Sequence, residues 1–238
     1  MPENTQVKSK KRVADHGEVF TAEREVNAML DLVKQETERI NSRFLEPACG
    51  DGNFLSEILR RKLAVVKRSY GKSPADYERY AVMAVMSIYG VELLQDNADA
   101  CRARLFEIWN KEYTANCKKE ANDACRDAVR FVLSRNILCG NALSLMCVDE
   151  HTNDTDTPII FSEWEFVSET MVKRRDYRLD VLLKENPEPD QYSEQLSLFG
   201  DDAMAQDNWM IDPVTNEVRP KPVREFPATS YRRIAQDA

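Results

Sequence analysis

The segment Glu46-Pro47-Ala48-Cys49-Gly50-Asp51-Gly52-Asn53 constrains this chain more than any other. Before it, Arg43-Phe44-Leu45-Glu46-Pro47 reads as a short strand stopped by Pro47. After it, Phe54, Leu55, Ile58, Leu59 and Leu63 recur at helical spacing. A turn with two glycines between a strand and a helix permits close backbone approach. It also sets a ligand at the carboxyl end of a parallel strand, against a helix N-terminus. Tyr89-Gly90-Val91-Glu92-Leu93 is the next strand candidate and carries an acid at its end, placed to accept from the two hydroxyls of a ribose.

The remaining pattern extends this strand–helix alternation. Val26, Met29, Leu30, Val33, Thr37 and Ile40 predict a helix entered at Thr21. Ser73 to Ile88 predicts a helix with Pro74 in its first turn. Further helices are expected over 95–113 and 119–133, and a third strand over 136–140. Pro158 to Phe161 reads as a buried strand, and 166–183 is ambiguous. Strands separated by helices imply an α/β fold with a parallel sheet covered on both faces. The 238 residues are 42% hydrophobic and 31% charged, enough for one ordinary domain and a tail. Of a formal charge of −8, nine acids fall in residues 185–217, which hold no Lys or Arg, so the body is near neutral and compatible with nucleic acid. The expected division is a basic leader over 1–16, a domain over 17–185, and an acidic then basic arm, disordered or extended, over 186–238. No secretory leader, membrane span, C-x-x-C pair or metal-ligand spacing is visible, which predicts a cytoplasmic, metal-free protein.

The glycine turn lacks the full G-x-G-x-x-G spacing of a pyrophosphate site, which favours S-adenosylmethionine over a dinucleotide. The segment Phe44 to Leu55 resembles the first motif of the adenine-N6 DNA methyltransferases of restriction–modification systems. Gly17-Glu18-Val19-Phe20-Thr21 is similar to their upstream G-x-V-F-T-P, with Ala22 where Pro is usual. Tyr89-Gly90-Val91-Glu92 resembles the second motif, and Gly140-Asn141-Ala142-Leu143 the third. The resemblance implies a Rossmann-like class I methyltransferase domain in which Phe20, Thr21, Glu46, Pro47, Ala48, Gly50, Glu92 and Asn141 surround S-adenosylmethionine. Glu92 would hold the ribose and Asn141 the adenine ring. The competing reading is a Rossmann-like domain that has lost its ligand.

In that family an N-P-P-[YFW] motif accepts hydrogen bonds from the amine of a flipped adenine and stacks an aromatic ring on it. The sequence contains no such motif. Trp164, shortly after the fourth strand candidate, is the candidate for the ring, against a competing role as a core aromatic. Asn186-Pro187 reads as a turn. Target recognition is expected to need DNA-reading help from a larger methyltransferase or specificity subunit. The basic clusters at 8–12, 173–178 and 219–233 are candidates for phosphate contact or plain solvated charge. Gln195-Leu196-Ser197-Leu198-Phe199 matches the peptide by which bacterial proteins dock on the replication sliding clamp, which makes Gln195, Leu196, Leu198 and Phe199 candidate partner-binding residues. Two functions follow: a DNA adenine methyltransferase that needs a partner, or a non-catalytic cofactor-binding subunit that assembles or tethers one.

Overall fold

The computed structural model describes Arg12, residues 21–184, Asn186, 208–213 and 215–236. The predicted first helix divides into α1 (Glu23–Asp31) and the single turn α2 (Lys34–Thr37). Val26 and Leu30 are buried, whereas Met29 and Val33 from the same apolar pattern are exposed. Then come β1 (Phe44–Glu46), α3 (Asn53–Tyr70), α4 (Pro74–Met86), β2 (Ile88–Glu92), α5 (Gln95–Cys117), α6 (Asp123–Asn136) and β3 (Ile137–Cys139). Side chains set two of the helix starts: the Ser73 hydroxyl accepts from the Asp76 amide, and the Asn122 side chain accepts from the Cys125 amide.

β1, β2 and β3 form a parallel sheet in that order, with Leu45 opposite Tyr89 and Val91 opposite Leu138. All five residues of β2 are buried, as expected of a central parallel strand. Helices cover one face, where Leu55, Leu59, Val82, Val85, Ile88, Leu105, Trp109, Val129 and Ile137 belong to the main core. The other face is covered differently from the expectation. Tyr89 and Val91 pack there against Ile159, Phe161 and Leu179.

Those three residues come from a second, antiparallel part of the molecule. β4 (Met146–Val148) and β5 (Asp154–Pro158) make a small hairpin, followed by β6 (Ile160–Phe166), β7 (Met171–Arg178) and the turn α7 (Leu179–Leu182). The expected fourth strand therefore exists, but it is longer and pairs antiparallel with β7 along its whole length instead of joining the parallel sheet. The Tyr89 hydroxyl donates to the Ser162 carbonyl at 3.0 Å, which ties β6 to β2.

The last elements are β8 (Trp209–Ile211), β9 (Val218–Pro220), β10 (Arg224–Glu225) and β11 (Thr229–Ser230). Where the sequence reads as an arm, its end returns to the body. β10 and β11 pair with β7, and Phe226, Tyr231 and Ile234 are buried. The cause is a buried acid: Glu78 on α4 accepts from the hydroxyls of Tyr113 and Tyr231 and from the Arg232 guanidinium. A desolvated carboxylate needs such partners, and two of them come from the chain's end.

Candidate functional site

Residues 47–52 connect β1 to α3 through two left-handed backbone positions, Gly50 at φ 54° and Gly52 at φ 92°. A Cβ on Gly52 would lie 2.7 Å from Cys101 Sγ, so glycine is required there by conformation and by space. Gly90 is required for closeness alone, since its Cβ would stand 2.9 Å from Cys49 Sγ and 3.0 Å from Leu55 Cδ1. The strand β2 thus passes directly beneath the turn. Cys49 and Cys101 meet there, both buried. The Cys49 thiol is pushed up strongly by Cys101 and by burial, so it acts as packing.

Glu92 closes the site from the second strand. It is 8% exposed, and its carboxylate is largely engaged by the chain itself. Oε2 accepts from the Gly50 amide at 2.8 Å, while Oε1 accepts from the Leu94 amide at 3.1 Å and Asn97 Nδ2 at 3.2 Å. A carboxylate offers about four acceptor positions. One position on Oε2 is left for a ligand hydroxyl; a second hydroxyl would have to share or displace a bond. The opposite side of the turn is held by Arg104 of α5. Its Nη1 donates to Asn53 Oδ1 at 2.6 Å and lies 3.3 Å from Asp51 Oδ1. Asn53 Nδ2 in turn donates to the Thr21 carbonyl at 3.1 Å, bringing the entry of α1 to the start of α3. Glu46, at the end of β1, is half-buried, and burial raises its carboxyl above the usual range. Pro47 and Ala48 are exposed on the rim.

The structure thus gathers Thr21, Glu46, Pro47, Ala48, Gly50 and Glu92 around one turn. Phe20 lies outside the described residues. Asn141 sits after β3, where its Nδ2 donates to Asp154 Oδ1 at 2.9 Å and its Oδ1 accepts from the Leu143 amide at 3.0 Å. It fastens the β3 exit to the β4–β5 hairpin, with one amide hydrogen and one lone pair to spare. Asn53, Asn97 and Arg104 are the supports that sequence reasoning did not single out. Asn53 lies inside the quoted motif, but nothing in the sequence marks Asn97 or Arg104, because the helix pattern alone does not show which polar position faces a loop.

Trp164 takes the core role and not the base-stacking one. It is 8% exposed, its indole N–H donates to Asn136 Oδ1 at 2.9 Å, and Phe131 meets it edge-on. Asn136 precedes β3, at the opposite end of the sheet from the glycine turn, so this ring is core and is not presented to a base. The basic cluster at 173–178 is also spent internally. Lys173 pairs with Glu225, Arg174 with Asp176, Arg175 with Glu165 and Glu225, and Arg178 with Asp180. Arg12 of the leader pairs with Asp96 at 2.7 Å. Gln195, Leu196, Leu198 and Phe199 lie outside the described residues. A cavity of about 730 Å³ lies on the far face of the sheet among Leu45, Tyr89, Phe161, Tyr177 and Leu179, away from the turn. Among the described residues no cluster of His, Cys, Asp and Glu is placed to hold a metal ion. Among them, too, no helix is long and apolar enough to cross a membrane.

The family model of the MmeI DNA-methyltransferase domain matches residues 20–178, from the entry of α1 to the end of β7. DNA methyltransferase A of Bacillus subtilis (strain 168) is 28% identical over 107 residues, which is 42% of this chain and 12% of that protein. The match therefore spans about an eighth of that relative's length. No solved structure matches.

Proposed function

The chain belongs to the family of the MmeI DNA-methyltransferase domain, and from that premise we propose that it binds S-adenosylmethionine and takes part in methylating adenine N6 in DNA. The fold would be of the Rossmann-like class I kind, with the sheet β1-β2-β3 as its cofactor half. One observation carries this reading: a glycine turn at the end of a parallel strand is bonded to an acid at the end of the next, through Gly50 N–H and Glu92 Oε2. That pairing leaves exposed backbone at Pro47 and Ala48, an α3 N-terminus whose first amides have no partner within the helix, and one carboxylate position for a ribose hydroxyl.

When bound, the cofactor supplies a methyl group on a sulfonium sulfur. The chain's own contribution is to bind and orient it. Glu92 accepts from the ribose, Asn141 offers its remaining amide hydrogen and lone pair to the adenine edge, and Thr21 and Glu46 border the turn. The burial of Trp164 and the missing N-P-P-[YFW] favour a division of labour. In this division, the groups that hold the flipped base, and the reading of the DNA target, come from a partner such as a larger methyltransferase or specificity subunit. The clamp-type peptide Gln195 to Phe199 would then tether the assembly to replicating DNA.

The direct test is calorimetric titration of the purified chain with S-adenosylmethionine. Binding is expected, with Glu92→Ala weakening it by ~1.5–3 kcal/mol, the scale of a hydrogen bond to a charged group. The absence of heat and of any cofactor-induced thermal shift in the unaltered protein would overturn the proposal.

A further inference from the structure

The turn over 47–52 has a structural problem of its own. Two of its residues are glycines in the left-handed region, and glycine brings the largest loss of backbone freedom when fixed. Lacking side chains, they are held by backbone bonds such as Gly52 N–H to the Cys49 carbonyl at 2.8 Å and by partners from outside the turn. On one side Glu92 is such a partner, through the Gly50 amide. On the other side, among the described residues, one side-chain nitrogen reaches the turn: Arg104 Nη1, with Asn53 Oδ1 at 2.6 Å, Asp51 Oδ1 at 3.3 Å and the Asp51 carbonyl at 3.5 Å.

Asn53 is the hinge of this arrangement. As the first residue of α3 it follows Gly52 directly, and both ends of its amide are used. Its oxygen accepts from Arg104, and its nitrogen donates to the Thr21 carbonyl at 3.1 Å. A helix-starting residue engaged at both amide ends can neither rotate nor flip without breaking a charge-assisted bond. Three segments distant in sequence are thereby fixed to one another: the entry of α1, the turn, and the middle of α5. Arg104 and Asp51 are each about one-third exposed. Their ion pair is therefore worth little as bulk stability, which leaves local order of the turn as its main effect.

We infer that Arg104 is a positioning residue for the cofactor site, acting through Asn53 and Asp51 to hold the turn in its binding conformation before the ligand arrives. It touches no reacting atom. The inference rests on the cofactor reading above for its consequence, but its structural part stands apart from it.

The test uses the full chain and two readouts. Hydrogen exchange without ligand should show the amides of 50–53 exchanging about ten-fold faster in Arg104→Met, the change expected for losing a brace of ordinary strength. Those of β2 and α6 should stay as in the unaltered protein. Titration with S-adenosylhomocysteine should show about 5–30-fold weaker binding in the same variant. Arg104→Lys should recover most of both effects, because a single nitrogen makes all three contacts. Exchange at 50–53 that is unchanged in Arg104→Met overturns the inference whatever the ligand does. Accelerated exchange with an affinity within two-fold of the unaltered protein also overturns it. If the unaltered protein binds no S-adenosylhomocysteine while exchange responds as stated, the cofactor reading fails and the bracing of the turn stands. Asn53→Ala guards against misfolding of the Arg104 variant, and should loosen the turn in the same way.

Discussion

Trp164 shows how the same residue reads differently from sequence and from packing. An aromatic placed a short way after a strand fits a base-stacking role by position, but burial and one hydrogen bond decide otherwise. Its indole N–H satisfies Asn136, whose own Nδ2 donates to the Met86 and Ile88 carbonyls, so the ring helps hold α6 against α4 and β2. Trp164→Ala is expected to cost ~3–5 kcal/mol of stability, the range for truncating a buried aromatic, measured by urea unfolding. Under the proposed function, the affinity of the folded fraction for S-adenosylmethionine should stay unchanged. Lys62 sets a second residue-scale test. Its ammonium is fully buried, donating to the carbonyls of Arg39, Ile40 and Ser42 and to the Ser87 hydroxyl. Burial pulls its pKa down to about 7 from the ordinary 10.5. Between those values the folded protein binds fewer protons than the unfolded chain, so this group's contribution rises with pH across the window and is lost as pH falls toward about 7. From pH 7 to 8.5 the unfolding free energy should climb more steeply in the unaltered protein than in Lys62→Met, by at most ~1.4 kcal/mol per pH unit. Equal slopes in parallel urea series would remove the claim.

The β6–β7 hairpin is held by a charged cluster that hydrophobic patterning cannot reveal. Asp176 accepts twice from Arg174, at 2.8 Å each, and from the Ser162 hydroxyl at 2.7 Å, with Arg135 of α6 at 3.7 Å. Removing the acid strands two cations: Asp176→Ala should cost ~3–5 kcal/mol, while Arg174→Met with Asp176→Leu should cost far less. Similar losses in the two variants would show that the pair itself, not its balance, stabilises the hairpin. The same cluster explains what was legible. From α3 to β3 each element was expected within a few residues, because strand–turn–helix order, Pro74 and the apolar spacing are local signals. Past Leu145 the signals are not local. Lys173-Arg174-Arg175 looks like solvated charge until the acids facing it are known, and those lie on three different elements. The candidate site divides in the same way. The turn and its bond to Glu92 were readable in outline because glycines after one strand and an acid at the end of the next are local signals. Arg104 and Asn97 were not, because their significance is only which neighbour they face. The predicted helix over 21–40 also ends early, at Thr37, beside a partner that spacing cannot show: Lys62 takes the carbonyls of Arg39, Ile40 and Ser42.

At the scale of the whole molecule, the end of the chain completes the core that its beginning builds. The family match stops at residue 178, yet residues 224–236 lay two short strands along β7 and bury Phe226, Tyr231 and Ile234. Arg174 lies 4.1 Å from the Phe226 ring centre, so the returning segment also covers the hairpin's charged cluster. The firmest link is Glu78, 2% exposed on α4, where Tyr231 and Arg232 meet Tyr113 and Asn122. Arg232 supplies the cation, and its own proton is held more tightly by the bond to Glu78. Removing residues 222–238 takes away the cation and one hydroxyl, and leaves that carboxylate with Tyr113 and Asn122. The sign of one substitution should then reverse. In the full chain Glu78→Gln breaks a charge-assisted pair and should cost ~1.5–3 kcal/mol. In the truncated chain the same change removes a carboxylate that has lost its cation and should be neutral or stabilising. A double-mutant cycle by urea unfolding measures the difference directly. Equal costs in both backgrounds would mean that the tail is held by apolar contact alone, with Glu78 serving only the helices around it.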